Sequence, residues 1–410
     1  MRRGRIAGGL LALALLAAPA AAADPGDIYV ADQGAGPGAS GAIFRIDIAT
    51  GQVSTLSSGS PLGDPTDMVF DPAGDLIVAD EASEALFGVD PATGAAVPIA
   101  SGGQLADPWG VAFGPGGRLF VADIGRGSPA AVVFRINPGS GAKMALIEGA
   151  PLVDPVGIAR ESENGLLVTD ANGVGPEPNG AVYRLDAETD ALGPLASGAP
   201  LQDPWGVAVE ASGRIVVTDV SAGGGGLFAV DPASGAVAPI ATGAPFAGPV
   251  DVALTPDGTA LVADLEAGAV LRTDLAGGPV GTVASGAPFV APSAVLVEPE
   301  LCGGRVPTLL GSSGNDRLAG TRRDDVVAGL AGNDVLRGLN GNDVLCGGDG
   351  NDRVNSGKGV DTLDGGPGRD RLNGSTGPDL VIGGAGKDRC NGGSGKRDRQ
   401  RGCEKRTGLP

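Results

Sequence analysis

Nine aspartates recur at intervals of nine residues: Asp316, Asp325, Asp334, Asp343, Asp352, Asp361, Asp370, Asp379 and Asp388. The stretch "GLAGNDVLRGLNGNDVLCGGDGND", Gly329 to Asp352, carries three of them, each behind a glycine-rich turn and ahead of a strand-forming residue. A carboxylate is a hard anionic ligand. Glycines permit positive φ, so a short turn can aim its carbonyl oxygens inward. Together they suit a cation that takes about six to eight oxygens at about 2.3–2.6 Å. Histidine is absent from the 410 residues, which excludes Ser-His-Asp and Cys-His nucleophile systems and His-ligated zinc, copper or iron. Any metal must be held by oxygen, which favours calcium or magnesium.

Two residues after each aspartate stands Leu318, Val327, Leu336, Leu345, Val354, Leu363, Leu372, Val381 or Cys390. A flexible Gly/Asp-rich linker does not explain this apolar position. One turn and one short strand per nonamer makes two nonamers a coil of 18 residues. Coils stack about 4.8 Å apart, so the neighbour of each turn lies two units on. Asp334 then pairs with Asp352, while Asp343 belongs to a second row with Asp325 and Asp361. Up to seven inter-turn cation sites follow, strongest around Asp334, Asp343 and Asp352. Arg323 departs from the pattern at the fourth position and Ser356 at the first. Val360, Arg369, Pro378 and Lys387 depart at the fifth, which weakens the expectation for the last two sites. Over residues 311–391 the chain resembles the haemolysin-type (RTX) calcium-binding repeat. The resemblance implies a parallel β-roll with Ca2+ as cofactor, folding only when calcium is bound.

A longer repeat precedes it. "IYVAD", "LIVAD", "LFVAD", "LLVTD", "IVVTD" and "ALVAD" end at Asp32, Asp80, Asp123, Asp170, Asp219 and Asp264, spaced 48, 43, 47, 49 and 45 residues apart. Each unit continues with a strand such as "IFRID", a "PATG"-type turn, a strand running into "ASGAPL", and "DPWGVAF" or a variant. Four strands per unit describe a propeller blade. The long-repeat region begins inside a unit and ends with "PSAVLVEP", so the strand at 293–297 is expected to complete the N-terminal blade and leave no open sheet edge. At "NPGSGAK" and "DPWGVAFGPGGRLFVAD" the chain resembles NHL-repeat propellers and related gluconolactonase-like and lyase-like propellers. That resemblance implies the fold and does not fix an activity. The fold class is therefore all-β: a six-bladed propeller over 24–300, a linker at 301–310, the β-roll over 311–391 and a stapled tail at 392–410.

The turns entering the inner strands share a face with the variable loops after the VAD strands, where binding function is expected. On that face Asp67 and Asp251 stand where other units have glycine or alanine, and such a pair could hold a divalent cation and polarise a lactone or ester carbonyl. Alternatively, they satisfy backbone amides. The Glu, Asn and Asp metal set of the lactonase-like relatives has no counterpart here, and the lyase-like relatives rely on histidine. The six VAD aspartates are too regular for an active site and read as turn caps. Trp109 and Trp205 are either sugar-stacking platforms or packing between blades.

The opening "MRRGRIAGGLLALALLAAPAAAADP" reads as an export signal over 1–23 with cleavage before Asp24; its apolar run is short of the about 20 residues a span needs. The chain carries −19 overall, and residues 24–300 hold 34 acidic against 9 basic residues, so that unit repels nucleic acid and anionic membranes. Four cysteines in an exported chain imply two disulfides. Cys346 and Cys390 fall on different sheets, too far apart to bridge, so Cys390–Cys403 and Cys302–Cys346 are the expected pairs. The reading is a secreted or cell-surface calcium-binding protein with no transmembrane segment in the mature chain. Its propeller presents a platform for an unidentified extracellular ligand or protein. No catalytic residue is assigned. The rivals are a metal-dependent lactonase-like hydrolase and a surface or matrix structural protein.

Overall fold

The computed structural model describes residues 26–407 apart from 35, 37–39, 115–116, 126–130, 163, 173–179, 211, 222–223 and 395–396. The export signal read at 1–23 lies outside the described residues, as do parts of the variable loops. The described residues form strands and turns, without an α-helix.

Each long repeat folds into one four-stranded antiparallel sheet, six in all. The strands ending in the repeated aspartate, such as Ile28–Asp32, Leu76–Asp80 and Leu119–Asp123, are buried along their whole length. These Val, Ile, Leu and Ala runs pack on both faces against neighbouring blades. One inter-blade core, for example, joins Phe120 and Val133 to Leu166, Val168 and Tyr183 of the next sheet. The outermost strands, such as Val53–Ser58, alternate with solvent. The ring closes as the cut repeat requires. Pro292–Val297 pairs antiparallel with Ile28–Asp32, Val30 opposite Val295, so the first sheet takes strands from both ends of the unit.

The repeated aspartates hold this ring at its corners. Asp264 accepts the amides of Ala247, Gly248 and Ala267, each at 2.9 Å, and Asp32 accepts those of Val290 and Ala291 across the closure. Each is fully buried and ties its own strand end to the turn entering the inner strand.

After the propeller the side-chain period changes from about 47 residues to nine, and the topology changes with it. Two six-stranded parallel sheets form, one from Leu309–Leu310 to Arg399–Arg401 and the other from Arg317–Ala319 to Lys405–Thr407. The register is 18 residues: Leu336 lies beside Val354 and Leu345 beside Leu363. All nine eighth-position side chains, Leu318 through Cys390, meet in one narrow core between the sheets. The ladders reach back into the stretch read as linker and forward into the tail. The disulfides are Cys302–Cys346 and Cys390–Cys403.

The roll packs on the propeller face that carries the regular turns. Val306 N–H donates to the Pro72 carbonyl at 3.2 Å, Ser313 N–H to that of Pro256 at 3.1 Å, and Arg160 to that of Thr308 at 3.3 Å. Arg323 pairs with Glu188. These contacts all come from the face that carries the regular turns.

Replacing Asp264 by alanine strands buried amides, each costing about 1–3 kcal/mol. Thermal unfolding should show the propeller transition lowered by several degrees; an unchanged midpoint would remove the capping role.

Candidate metal centre

In the roll each sixth-position aspartate from Asp334 to Asp388 has its two oxygens in different states. Oδ1 accepts the backbone N–H of the aspartate 18 residues earlier: Asp334 N–H to Asp352 at 2.8 Å, Asp343 to Asp361 at 2.9 Å, Asp352 to Asp370 at 2.9 Å, and Asp361 to Asp379 at 3.0 Å. Oδ2 is buried without a hydrogen-bond partner at Asp334, Asp343, Asp352, Asp361, Asp370, Asp379, Asp388 and Asp398. These oxygens form two rows of four, alternating along the sequence. A buried carboxylate oxygen without a donor is costly, and eight in register are not explained by packing.

Main-chain oxygens converge on the same places. A methyl group placed on first-position Gly365 would stand 2.5 Å from Asp370 Oδ2 and 2.5 Å from the Gly383 carbonyl oxygen; on Gly374 the distances to Asp379 Oδ2 and the Gly392 carbonyl are 2.6 and 2.7 Å. The first position is thus glycine because carboxylate and carbonyl oxygens crowd its open side. Second-position residues supply the left-handed turn, and the geometry is imposed even on Leu330 (φ 74°) and Leu339 (φ 82°), at a cost of about 1–2 kcal/mol each. At the fifth position an amide ladder runs up the outside, Asn351 donating to Asn333 and Asn333 to Asn315.

Among the described residues no three acidic or thiol side chains converge. A cation here would be held by the aspartate Oδ2 atoms and the carbonyl oxygens that converge beside the first-position glycines. That donor set is hard, anionic and oxygen-only, and it fits calcium. Burial, reinforced by the facing carboxylates, raises Asp334 and Asp379 to about 6 and Asp343 and Asp370 to about 7, against accepted backbone amides that oppose the shift.

The nine aspartates read from the sequence separate into two groups. Asp334 through Asp388 share the geometry above, including Asp379 and Asp388, the two for which the irregular fifth position lowered expectation. Asp316 and Asp325 differ. Their Oδ2 atoms accept from Ser312 (N–H 2.6 Å, Oγ 2.9 Å) and Thr321 (N–H 2.6 Å, Oγ1 2.8 Å), so the first coil satisfies itself. Ser356 fills the first position of its unit and donates to the Gly374 carbonyl at 2.9 Å. Two acidic residues went unread. Asp398 continues the second row and accepts the Asp379 amide at 3.1 Å, and Glu404 accepts the Asp388 amide. Asp398 comes 19 residues after Asp379, and that one-residue slip hid it from a strict nine-residue count.

The propeller candidates lie in an axial cavity of about 940 Å³, walled by the six inner strands and floored by roll residues including Thr308, Thr321, Arg323 and Val326. Asp67 accepts the Met68 amide at 2.7 Å and the Val111 amide of the next blade at 2.8 Å; Asp251 accepts the Val295 amide at 2.9 Å. Burial raises both carboxyls above the ordinary range, and the charge of Asp251 raises Asp67 further. Trp109 and Trp205 meet edge to face with centroids 4.9 Å apart, their indole N–H groups donating to Asp107 and Asp203. Each tryptophan therefore packs against the other in the cavity wall.

Residues 310–396 match the family model for the RTX calcium-binding nonapeptide repeat in four overlapping copies: 310–345, 329–363, 340–372 and 364–396. The C-terminal unit is an RTX calcium-binding repeat array set behind a six-bladed propeller. Comparison with curated protein sequences returned no match. Among solved structures, a chain of a nidogen/laminin complex is 16% identical over 66% of this chain and 98% of its own, with a TM-score of 0.55. A virginiamycin B lyase from Staphylococcus aureus is 16% identical over 59% of this chain and 76% of its own, with a TM-score of 0.45. At these identities the likeness to nidogen is one of fold.

Gly365→Ala should abolish calcium binding at its own turn and loosen its neighbours, because the new methyl occupies the oxygen cradle; calorimetry should count fewer ions per chain than in the parent. An unchanged count would place the cations elsewhere. The pH dependence has a definite sign. With folded-state values above the ordinary 3.8, the metal-free roll is most stable below about pH 4 and loses stability as pH rises through about 7. Protons and calcium compete for the same oxygens, so calcium affinity should rise between pH 5 and 8, measured by titration at each pH as about tenfold or more per unit where several carboxyls titrate. A flat profile would contradict the assignment.

Proposed function

We propose that this chain is an exported, calcium-dependent binding protein. The nonapeptide array acquires its fold on calcium, held by Asp334, Asp343, Asp352, Asp370, Asp379 and Asp388 together with Asp398, while beside Asp361 the side chain of Ser356 already stands in the cradle. Asp316 and Asp325 cap the first coil. The propeller serves as the platform, presenting its variable face and channel mouth to an extracellular ligand or protein. The observation carrying this reading is the double row of eight buried carboxylate oxygens without donors. Without a cation they oppose folding, because a core of one apolar side chain per nonamer is too thin to offset desolvated charge.

Export is supported by two disulfides, which persist in oxidising compartments. No helix among the described residues is long and apolar enough to cross a membrane. The platform role is supported by the contacts of the roll with the propeller, which among the described residues come from the face of the regular turns. The hydrolase alternative rests on Asp67 and Asp251 alone. Both already accept backbone amides, and no third acidic or thiol ligand joins them among the described residues, so no reaction is proposed.

The test uses the full chain. Adding calcium to chelated protein should increase the far-ultraviolet β signal and protect residues 311–407 from protease, while the propeller region resists cleavage in both states. Equal spectra and equal cleavage with and without calcium would reject the reading.

A further inference from the structure

The two sheets of the roll carry different outward faces. On the sheet that begins with Arg317–Ala319, the seventh position of successive coils reads Arg317, Val335, Arg353, Arg371, Arg389 and Lys405, in parallel register. Arg353, Arg371 and Arg389 are thus adjacent rungs about 4.8 Å apart, and Arg337 stands in the ninth-position column beside them. All five arginines are exposed. Among the described residues, none of the ion pairs engages any of them. On the other sheet the same position holds Val326, Val344, Thr362 and Leu380 before its first arginine, Arg399.

Like charges on adjacent rungs destabilise a sheet. The chain tolerates three in a row on one face only, which points to a partner that neutralises them. The flanking column is polar: Asn355, Asn373 and Asn391 stack in register, with the Asn391 amide donating to Asn373 at 2.8 Å. Guanidinium forks beside a ladder of amides match a chain that bears carboxylates and hydroxyls at regular intervals.

We infer that this face binds a linear carboxylated polysaccharide, laid along the stacking direction with its carboxylates on Arg353, Arg371 and Arg389. Single-stranded nucleic acid fits less well, because residues 301–410 contain no Phe, Tyr or Trp on which a base could stack. Calcium strengthens the site without touching it. Of the 12 acidic residues in 311–391, nine are the repeat aspartates, and the same stretch has 10 basic residues. Cations bound along the aspartate rows therefore leave the roll strongly positive. The inference goes beyond the calcium reading but is separable from it, since folding and polysaccharide binding are read by different signals.

The experiment is a binding titration of the full chain in calcium against short, non-gelling oligogalacturonates, with neutral dextran and double-stranded DNA as parallel arms. The parent should bind the oligogalacturonate with an affinity that falls as salt rises, and should ignore dextran. The Arg353→Ser, Arg371→Ser, Arg389→Ser triple variant should lose about tenfold or more of that affinity while keeping its calcium-induced circular dichroism. Without ligand it should melt at the same temperature as the parent or higher, since like-charge repulsion is removed. A triple lysine variant should bind more weakly than the parent but better than the serine variant, because charge is kept and the fork is lost. Equal affinity of parent and serine variant, absence of oligogalacturonate binding, or binding of DNA in its place would each overturn the inference. A parent that folds on calcium but fails to bind rejects this inference alone.

Discussion

The C-terminal roll depends on carboxylate oxygens buried without donors. From Asp334 onward each coil contributes aspartates whose Oδ1 is used by the backbone of the preceding coil and whose Oδ2 is buried without a donor. The glycines at the first position, the strained left-handed residues at the second and the strand that follows all serve to gather those oxygens. In the metal-free chain they repel one another and are poorly solvated, so the geometry that defines the roll opposes its folding. A divalent cation reverses the sign of that contribution.

The same constraint explains how the two units meet. The coil that floors the propeller channel is the one whose aspartates are satisfied internally, by Ser312 and Thr321. It is also held by Cys302–Cys346 and by the contacts of Thr308, Ser313 and Arg323 with the propeller. The propeller is thus joined to the coil whose aspartates already have donors, and the oxygens left without donors begin one coil further out. At the far end Asp398 and Glu404 extend both rows to the last strands, beside the Cys390–Cys403 bridge.

Much of this was readable in the sequence because repetition converts position into geometry. The VAD strands, the split blade and the nine-residue register each follow from a period, and the alternating rows follow from two nonamers per coil. The disulfide pairing followed from parity, since Cys346 and Cys390 lie on different sheets. What was not readable lay where the period breaks. Asp398 sits behind a one-residue insertion. The distinct chemistry of Asp316 and Asp325 is written at the second position, where Ser312 and Thr321 replace the residues that elsewhere turn left-handed. The fifth-position substitutions Val360, Arg369, Pro378 and Lys387 lie on the outside of the turn, where the asparagine ladder ends, and they leave the inner oxygens undisturbed. The packing of the roll onto the regular face of the propeller has no signal in either repeat.

The central claim is that these oxygens hold calcium, and an anomalous-scattering crystal structure of the full chain grown with calcium tests it most directly. The account predicts two rows of ions, each contacting an aspartate Oδ2 and the first-position carbonyl of the following coil, as at Asp370 with Gly383 and Asp379 with Gly392. Density showing those Oδ2 atoms without a cation, with calcium bound elsewhere or not at all, would contradict it.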